Sequence, residues 1–364
     1  MTRRSDLQST PRWFVGARTV WRNLFAMSAL LLSVGTGSIL AADITVFSAT
    51  DISAFQPLID SFERAHPGQK LDYREFDTRD LYEMVAADKA GEADVVISSA
   101  TDLQVDLVNQ GRALAFRLDG EEALPAWARW RNELYGFTFE PVAVIYNEAA
   151  FAGRALPRTR SDLASAIRDD PDFFKGRIGS YDIGLSGVGY LFATQDVQRG
   201  YEFWRLVETF GRAGLKTYCC TSRIFDAVAS GDLVYAYNVI GPYALAAARK
   251  TSGVGVYTLD DYTFVSTRTA FVRNEAPNKA GGVEFVSYLL SPEGQSELAA
   301  TSPFLPVSID IGKPAEKVGA FGKPEAMVPI KVGPSLIAYL DKMKREKLLA
   351  DWLTATDPPA EALQ

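Results

Sequence analysis

Residues 93–111 read ADVVISSATDLQVDLVNQG. Val95-Val96-Ile97 is an unbroken β-branched apolar run, the mark of a strand covered on both faces. Ser98-Ser99-Ala100-Thr101 is a small, hydroxyl-rich turn, and the residues after it predict a helix that Gly111 ends. The same unit stands upstream. Ile44–Ser48 predicts a strand, Ala49-Thr50-Asp51 a turn, and Phe55, Leu58, Ile59 and Phe62 share one helical face. His66-Pro67-Gly68 stops that helix, residues 71–76 predict another strand, and residues 80–90 another helix. Strand, helix, strand, helix, strand is a doubly wound α/β pattern.

Further along, two long extended stretches stand out: 137–147 (FTFEPVAVIYN) and 263–272 (TFVSTRTAFV). Between them lie a strand near 177–180, the turn Ser186-Gly187-Val188-Gly189 before a helix, Thr221-Ser222-Arg223 before another, a strand at 233–239 and a helix at 242–249. This predicts a second α/β unit inserted into the first, with the two extended stretches as a two-strand hinge. The expected division is 43–140 with 268–364 in one lobe and 141–267 in the other. Helices are expected at 281–290 and 334–349.

Length and composition agree with two lobes. The chain has 364 residues, 47% of them apolar and 23% charged, the balance of a soluble globular protein. Residues 1–42 are set apart. Five arginines stand against one aspartate, residues 23–42 carry no charge, and small residues follow an apolar middle up to Ala41-Ala42. That is a secretory signal peptide, with an uncleaved membrane anchor as the alternative. The whole chain has a net charge of −7, so the remainder after residue 42 carries −11. An acidic surface argues against nucleic acid as a partner. The two cysteines, Cys219 and Cys220, are adjacent; they form a vicinal disulfide or are two small residues at a strand end. The single histidine, His66, sits in a turn, and no HExxH, GxSxG or phosphate-loop pattern is present. No enzyme activity, metal or cofactor is expected.

The segments ITVFSAT, ADVVISSATDLQVDLVNQGRALAF, TFEPVAVIYN and AGGVEFVSYLLSPEGQSELA, in this order and spacing, resemble the class II periplasmic binding proteins of bacterial ATP-driven importers, in extracellular solute-binding family 1. SGDLVYAYNVIGPYA places the likeness near the ferric-ion binders and the phosphoglycerate transport regulatory protein. The resemblance implies a two-lobed periplasmic binding protein fold. It also implies a monomer in the periplasm that captures a small ligand for an inner-membrane ABC permease or, alternatively, signals to a membrane histidine kinase. Ferric binders of this family place two adjacent tyrosines after the strand matching 233–239. Here that position reads Gly241-Pro242-Tyr243, while Tyr235 and Tyr237 share one strand face, so a ferric-ion-binding protein stands as a further alternative.

A cleft between such lobes is lined by loops leaving the C-terminal ends of strands, where helix N-termini point inward. The candidates are Ser48, Thr50, Ser98, Ser99, Ser186, Gly187, Val188, Thr221 and Ser222. Free N–H groups, hydroxyls and helix dipoles make an anion site, so a carboxylate or phosphate ester is expected, with Arg223 or Arg268 as countercharge. Tyr146, Tyr237 and Asn238 end apolar strands and are further candidates.

Overall fold

The computed structural model describes residues 43–308 and 321–357; the signal segment lies outside them. β1 (Ile44–Ser48), α1 (Ile52–Ala65), β2 (Leu71–Glu75), α2 (Thr78–Ala86), β3 (Val95–Ser98) and α3 (Thr101–Asn109) alternate as expected. A hairpin of β4 (Arg129–Trp130) and β5 (Leu134–Gly136) leads into the ten-residue β6 (Thr138–Asn147). The second unit follows: α4 (Arg160–Asp169), α5 (Pro171–Phe174), β7 (Ile178–Tyr181), α6 (Gly187–Val197), α7 (Tyr201–Arg212), β8 (Lys216–Tyr218), α8 (Thr221–Ala229), β9 (Tyr235–Ile240), α9 (Gly241–Ala248), β10 (Val254–Tyr257) and β11 (Thr263–Ser266). The chain then returns through β12 (Thr269–Val272), α10 (Lys279–Leu290), α11 (Pro292–Thr301), β13 (Leu305–Pro306), β14 (Met327–Pro329) and α12 (Lys342–Thr356).

Two sheets result, one per lobe. The first runs β2-β1-β3-β12-β5-β4, and the second β14-β11-β6-β9-β7-β8, with β10 and β13 also on β6. β1 is parallel to β2 and β3, and β7 is parallel to β8 and β9. All four residues of β3 are buried, as its unbroken apolar run requires.

The chain leaves the first sheet at Phe137, returns to it at Thr267-Arg268, and crosses again after α11 to place β13 and β14 on the second sheet. The stretch 263–272, expected as one strand, is therefore two strands in different sheets. The break has a local cause. The Phe137 N–H donates to the Arg268 carbonyl (3.0 Å), and the Arg268 N–H donates to Thr138 Oγ1 (2.6 Å), so the crossings bond to each other instead of continuing a ladder. Gly136 is needed here, since a Cβ would lie 2.5 Å from Thr267 Oγ1 and 3.0 Å from the Ala128 carbonyl oxygen.

The C-terminal segment departs from its expected place. β14 pairs with β11 of the second sheet, and α12 packs on α7, with Trp352 stacked on Phe203 at 6.2 Å. The helix expected at 334–349 is a 3-10 turn, Pro334–Tyr339, followed by α12. The Asp341 side chain starts α12 by accepting from the Lys344 N–H, an N-cap that separates the two.

Candidate ligand-binding cleft

A cavity of about 680 Å³ opens between the two sheets. Its walls are the loops at the C-terminal ends of strands, because doubly wound units place every following helix N-terminus on that edge. From the first lobe come Thr50 and Asp51 before α1, Asp77 and Thr78 at α2, and Ser99 before α3. From the second come Val188 at α6, Cys220 to Ser222 at α8, and Ile240 before α9. Six helix N-termini therefore meet one cavity, each with donors its own helix cannot satisfy.

These donors are not equally occupied. Ser186 caps α6 by accepting from the Gly189 N–H (3.2 Å), and the Gly187 N–H donates to Thr78 Oγ1 across the lobes (3.0 Å). Glu75 accepts from the Ile52 N–H at the start of α1. The N-cap of α8 is Cys220, which makes no side-chain capping hydrogen bond, and the same holds for the N-caps of α1, α2, α3 and α9.

Arg268 lines the cavity although its side chain is only 1% exposed. Its Nε donates to Glu140 Oε1 (3.0 Å), and its Nη1 donates to the Thr50 hydroxyl and to the Ala49 carbonyl. Its Nη2 has no hydrogen-bond partner among the described residues. The guanidinium lies 5.1 Å from the ring centre of Tyr243 and 4.7 Å from that of Phe304. Burial opposes its charge, but Glu140, Tyr243 and Tyr73 outweigh burial and hold its pKa above the usual value. Glu140 is equally buried, and its Oε2 has no partner among the described residues.

Of the residues expected at the site, Thr50, Ser99, Val188, Thr221, Ser222 and Arg268 line the cavity. Ser48 and Ser98 are buried; Ser98 Oγ accepts from the Ala100 N–H. Ser186 and Gly187 shape α6 and the contact between lobes. Arg223 is exposed and stands outside the lining, because α8 turns it away from the cavity that Thr221 and Ser222 reach. Tyr146 packs edge-on against Phe151 and Tyr257, at the end of β6 far from the crossing. Tyr237 and Asn238 belong to a buried network: Arg160 Nε donates to Tyr237 Oη (2.6 Å), and Tyr237 Oη (3.0 Å) and Asn238 Nδ2 (2.6 Å) donate to Asp196 Oδ2. Such a network satisfies its own donors and leaves none for a ligand.

Sequence reasoning missed the carboxylates Glu75, Asp77 and Asp226, the aromatic Phe76, and Lys250, all in the lining with Asp51 and Tyr243. Asp77 was open to discovery, since it directly precedes a helix that follows a strand. Cys219 and Cys220 also line the cavity, and they are bonded to each other. Of the tyrosines weighed for iron, only Tyr243 reaches it. Burial pushes the Tyr243 phenol well above its usual pKa, and Tyr235 hydrogen-bonds Tyr257 in the second lobe (2.9 Å). Among the described residues no three His, Cys, Asp or Glu side chains cluster for a metal.

Two doubly wound lobes, crossing strands that bond to each other and a cavity lined from both sides by helix N-termini define a two-lobed ligand-binding protein. Residues 44–301 match the family of bacterial extracellular solute-binding proteins, and the chain belongs to that family. A substrate binding protein of an ABC transporter from Agrobacterium tumefaciens is 33% identical, with a TM-score of 0.80 over 88% of this chain and 96% of that one. Two more distant structures share the fold. Iron-bound HitA from Pseudomonas aeruginosa is 17% identical (TM-score 0.65, covering 86% of this chain and 99% of that one). AfuA from Actinobacillus pleuropneumoniae, with exogenous fructose-6-phosphate bound, is 15% identical (TM-score 0.67, 87% and 99%). No curated protein matches the chain in sequence. Among the described residues no helix is long and apolar enough to cross a membrane.

Proposed function

We propose that the protein is the periplasmic receptor of an ATP-driven importer. It takes a small organic anion, a carboxylate or phosphate ester, between its lobes and delivers it to an inner-membrane permease, without chemical turnover. The observation that carries this is the convergence of six helix N-termini on one cavity whose floor holds the buried Arg268. Oriented N–H groups and a desolvated guanidinium favour anions, and the ligand touches both lobes only when they are closed. Family membership and the Agrobacterium relative support the transport role. The lobes divide at Phe137 and Thr267-Arg268, with β14 and α12 assigned to the second lobe on their packing. The N-terminal segment acts as a secretory signal cleaved after Ala41 or Ala42, so the mature chain starts at Ala42 or Asp43, which N-terminal sequencing of periplasmic protein checks.

The ligand class is tested by mass spectrometry of compounds released from purified protein, then calorimetry on Ser222→Ala and Arg268→Met. A charge-assisted hydrogen bond is worth about 1.5–3 kcal/mol, so Arg268→Met weakens an anion roughly ten- to a hundredfold. A released cation or polyamine, or unchanged affinity in both variants, refutes the anion reading.

A further inference from the structure

The cavity is larger than an inorganic anion needs, and one wall carries a group the anion reading leaves unused. Cys219 and Cys220, the only cysteines of the chain, are bonded to each other between the end of β8 and the first residue of α8. Both line the cavity, with Phe225 on the same wall, and Phe76 lines it from the other lobe. Bonded sulfurs carry no hydrogen to donate and offer a polarizable, apolar surface. They are weak acceptors only: Cys220 Sγ accepts from the Ser222 hydroxyl (3.7 Å) but makes no capping bond to the amides of α8. The wall thus presents two unlike features side by side: open N–H groups, and a fixed sulfur face.

We propose that the Cys219–Cys220 disulfide determines specificity, packing against the carbon framework of an organic anion whose charged group sits on the α8 amides and Arg268. This rests on the anion reading and narrows it. A volume of about 680 Å³ falls in the range of roughly 300–1,000 Å³ that encloses small organic molecules. The buried Arg268, with Nη2 unpartnered among the described residues, fixes where the charge goes, and the disulfide and Phe76 are left for the body of the ligand. Inorganic phosphate satisfies the first part only.

The test is calorimetry on the full mature chain with fructose 6-phosphate, citrate and inorganic phosphate. Each is titrated into native protein, into protein reduced with dithiothreitol, and into Cys219→Ser/Cys220→Ser. Reduction breaks the Sγ–Sγ bond; dithiothreitol supplies two electrons and two protons, leaves as its cyclic disulfide, and two thiols remain. Thiol counts establish the redox state, and melting curves establish that the reduced protein stays folded should the double variant not fold. The expected result is that at least one of the two organic anions binds native protein. It then binds reduced and double-serine protein at least tenfold more weakly, while inorganic phosphate changes less than twofold. Equal affinity for the organic anion in both redox states overturns the inference. So do two free thiols in native protein, or an equal loss for inorganic phosphate. Binding of inorganic phosphate without either organic anion overturns this inference and spares the anion reading; silence from all three anions overturns both.

Discussion

Replacing Glu140 by Gln separates the two roles of Arg268, because it moves stability and affinity in opposite directions. The pair is buried on both sides, with Nε and Oε1 3.0 Å apart. Two unit charges about 4 Å apart interact by roughly 4 kcal/mol at an effective dielectric of 20. Removing one partner of a buried pair typically costs about 3–5 kcal/mol, since the other charge stays buried and uncompensated. Gln keeps a neutral oxygen that Arg268 Nε can still donate to, so the lower end, about 3 kcal/mol, is the expected loss. At about 2.1 cal/mol/K per residue over roughly 300 ordered residues, this lowers the melting temperature by about 4–5 °C. Affinity moves the other way. An anion on Nη2 about 8 Å from Glu140 loses a repulsion of about 0.5–2 kcal/mol between the dielectric limits, and so binds roughly 2- to 30-fold more tightly. Thermal melts of ligand-free protein, paired with calorimetry using the anion that binds the parent, read both quantities. A Glu140→Gln protein that melts with the parent, or that loses stability and affinity together, refutes the assignment of Arg268 as ligand countercharge.

Asp102 lies where α3 packs on α6 and on the 334–339 turn, and burial, the largest cause, pushes its carboxyl up to about 7 against the pull of backbone N–H groups. An acid with a raised folded pKa contributes stability that is complete below the unfolded carboxyl range, near 4, and is lost as pH rises through 7; the span is about 3 units, or roughly 4 kcal/mol. Asp102→Asn should flatten this slope in urea denaturation between pH 5 and 8, and a slope equal to the parent's refutes it. Gly136→Ala puts a Cβ 2.5 Å from Thr267 Oγ1 at the crossing, and should cost about 1–3 kcal/mol that Thr267→Ala in the same chain largely restores; a neutral Gly136→Ala refutes the close approach. Because the rim carboxylates are exposed and Arg268 is buried, raising sodium chloride from about 20 to 200 mM should leave anion affinity unchanged or raise it, and a tenfold fall contradicts this charge arrangement.

The alternation of elements was legible because unbroken runs such as Val95-Val96-Ile97 and stripes such as Phe55, Leu58, Ile59 and Phe62 have periods only one kind of element satisfies. Sheet membership was not. The run 263–272 carries β-formers on both sides of Ser266-Thr267-Arg268, and nothing in its periodicity shows that Arg268 leaves one sheet to pair with Glu140 while the next residue joins the other. The site was half legible for a related reason. Hydroxyl-rich turns mark helix starts, and helix starts on one sheet edge face the cleft, which recovered Thr50, Ser99, Thr221 and Ser222. Tyr237 sits on a strand, whose two faces look alike in sequence; the face it occupies is covered by α7, with Phe210 at 5.4 Å. The adjacency of Cys219 and Cys220 was plain, but whether the sulfurs bond depends on the backbone between β8 and α8, which no residue pattern encodes.

The charges around the cavity are ordered by depth, and that order narrows the ligand further than net charge does. Asp51, Glu75, Asp77 and Asp226 are exposed at the rim, where water and salt weaken their fields. Arg268 and the first turn of α8 lie inside, where a fixed donor acts with less competition from solvent. A bare anion meets four like charges on the way in and only donors at the end. A molecule that carries hydroxyl or ammonium groups beside its anionic group turns those carboxylates from repulsive neighbours into hydrogen-bond acceptors, and reaches the interior donors with its other end. The two lobes supply both kinds of partner, Asp51 and Asp77 from the first and the α8 amides from the second. A ligand with both kinds of group therefore gains contacts in the closed state that neither lobe offers alone, and that differential is what closure requires.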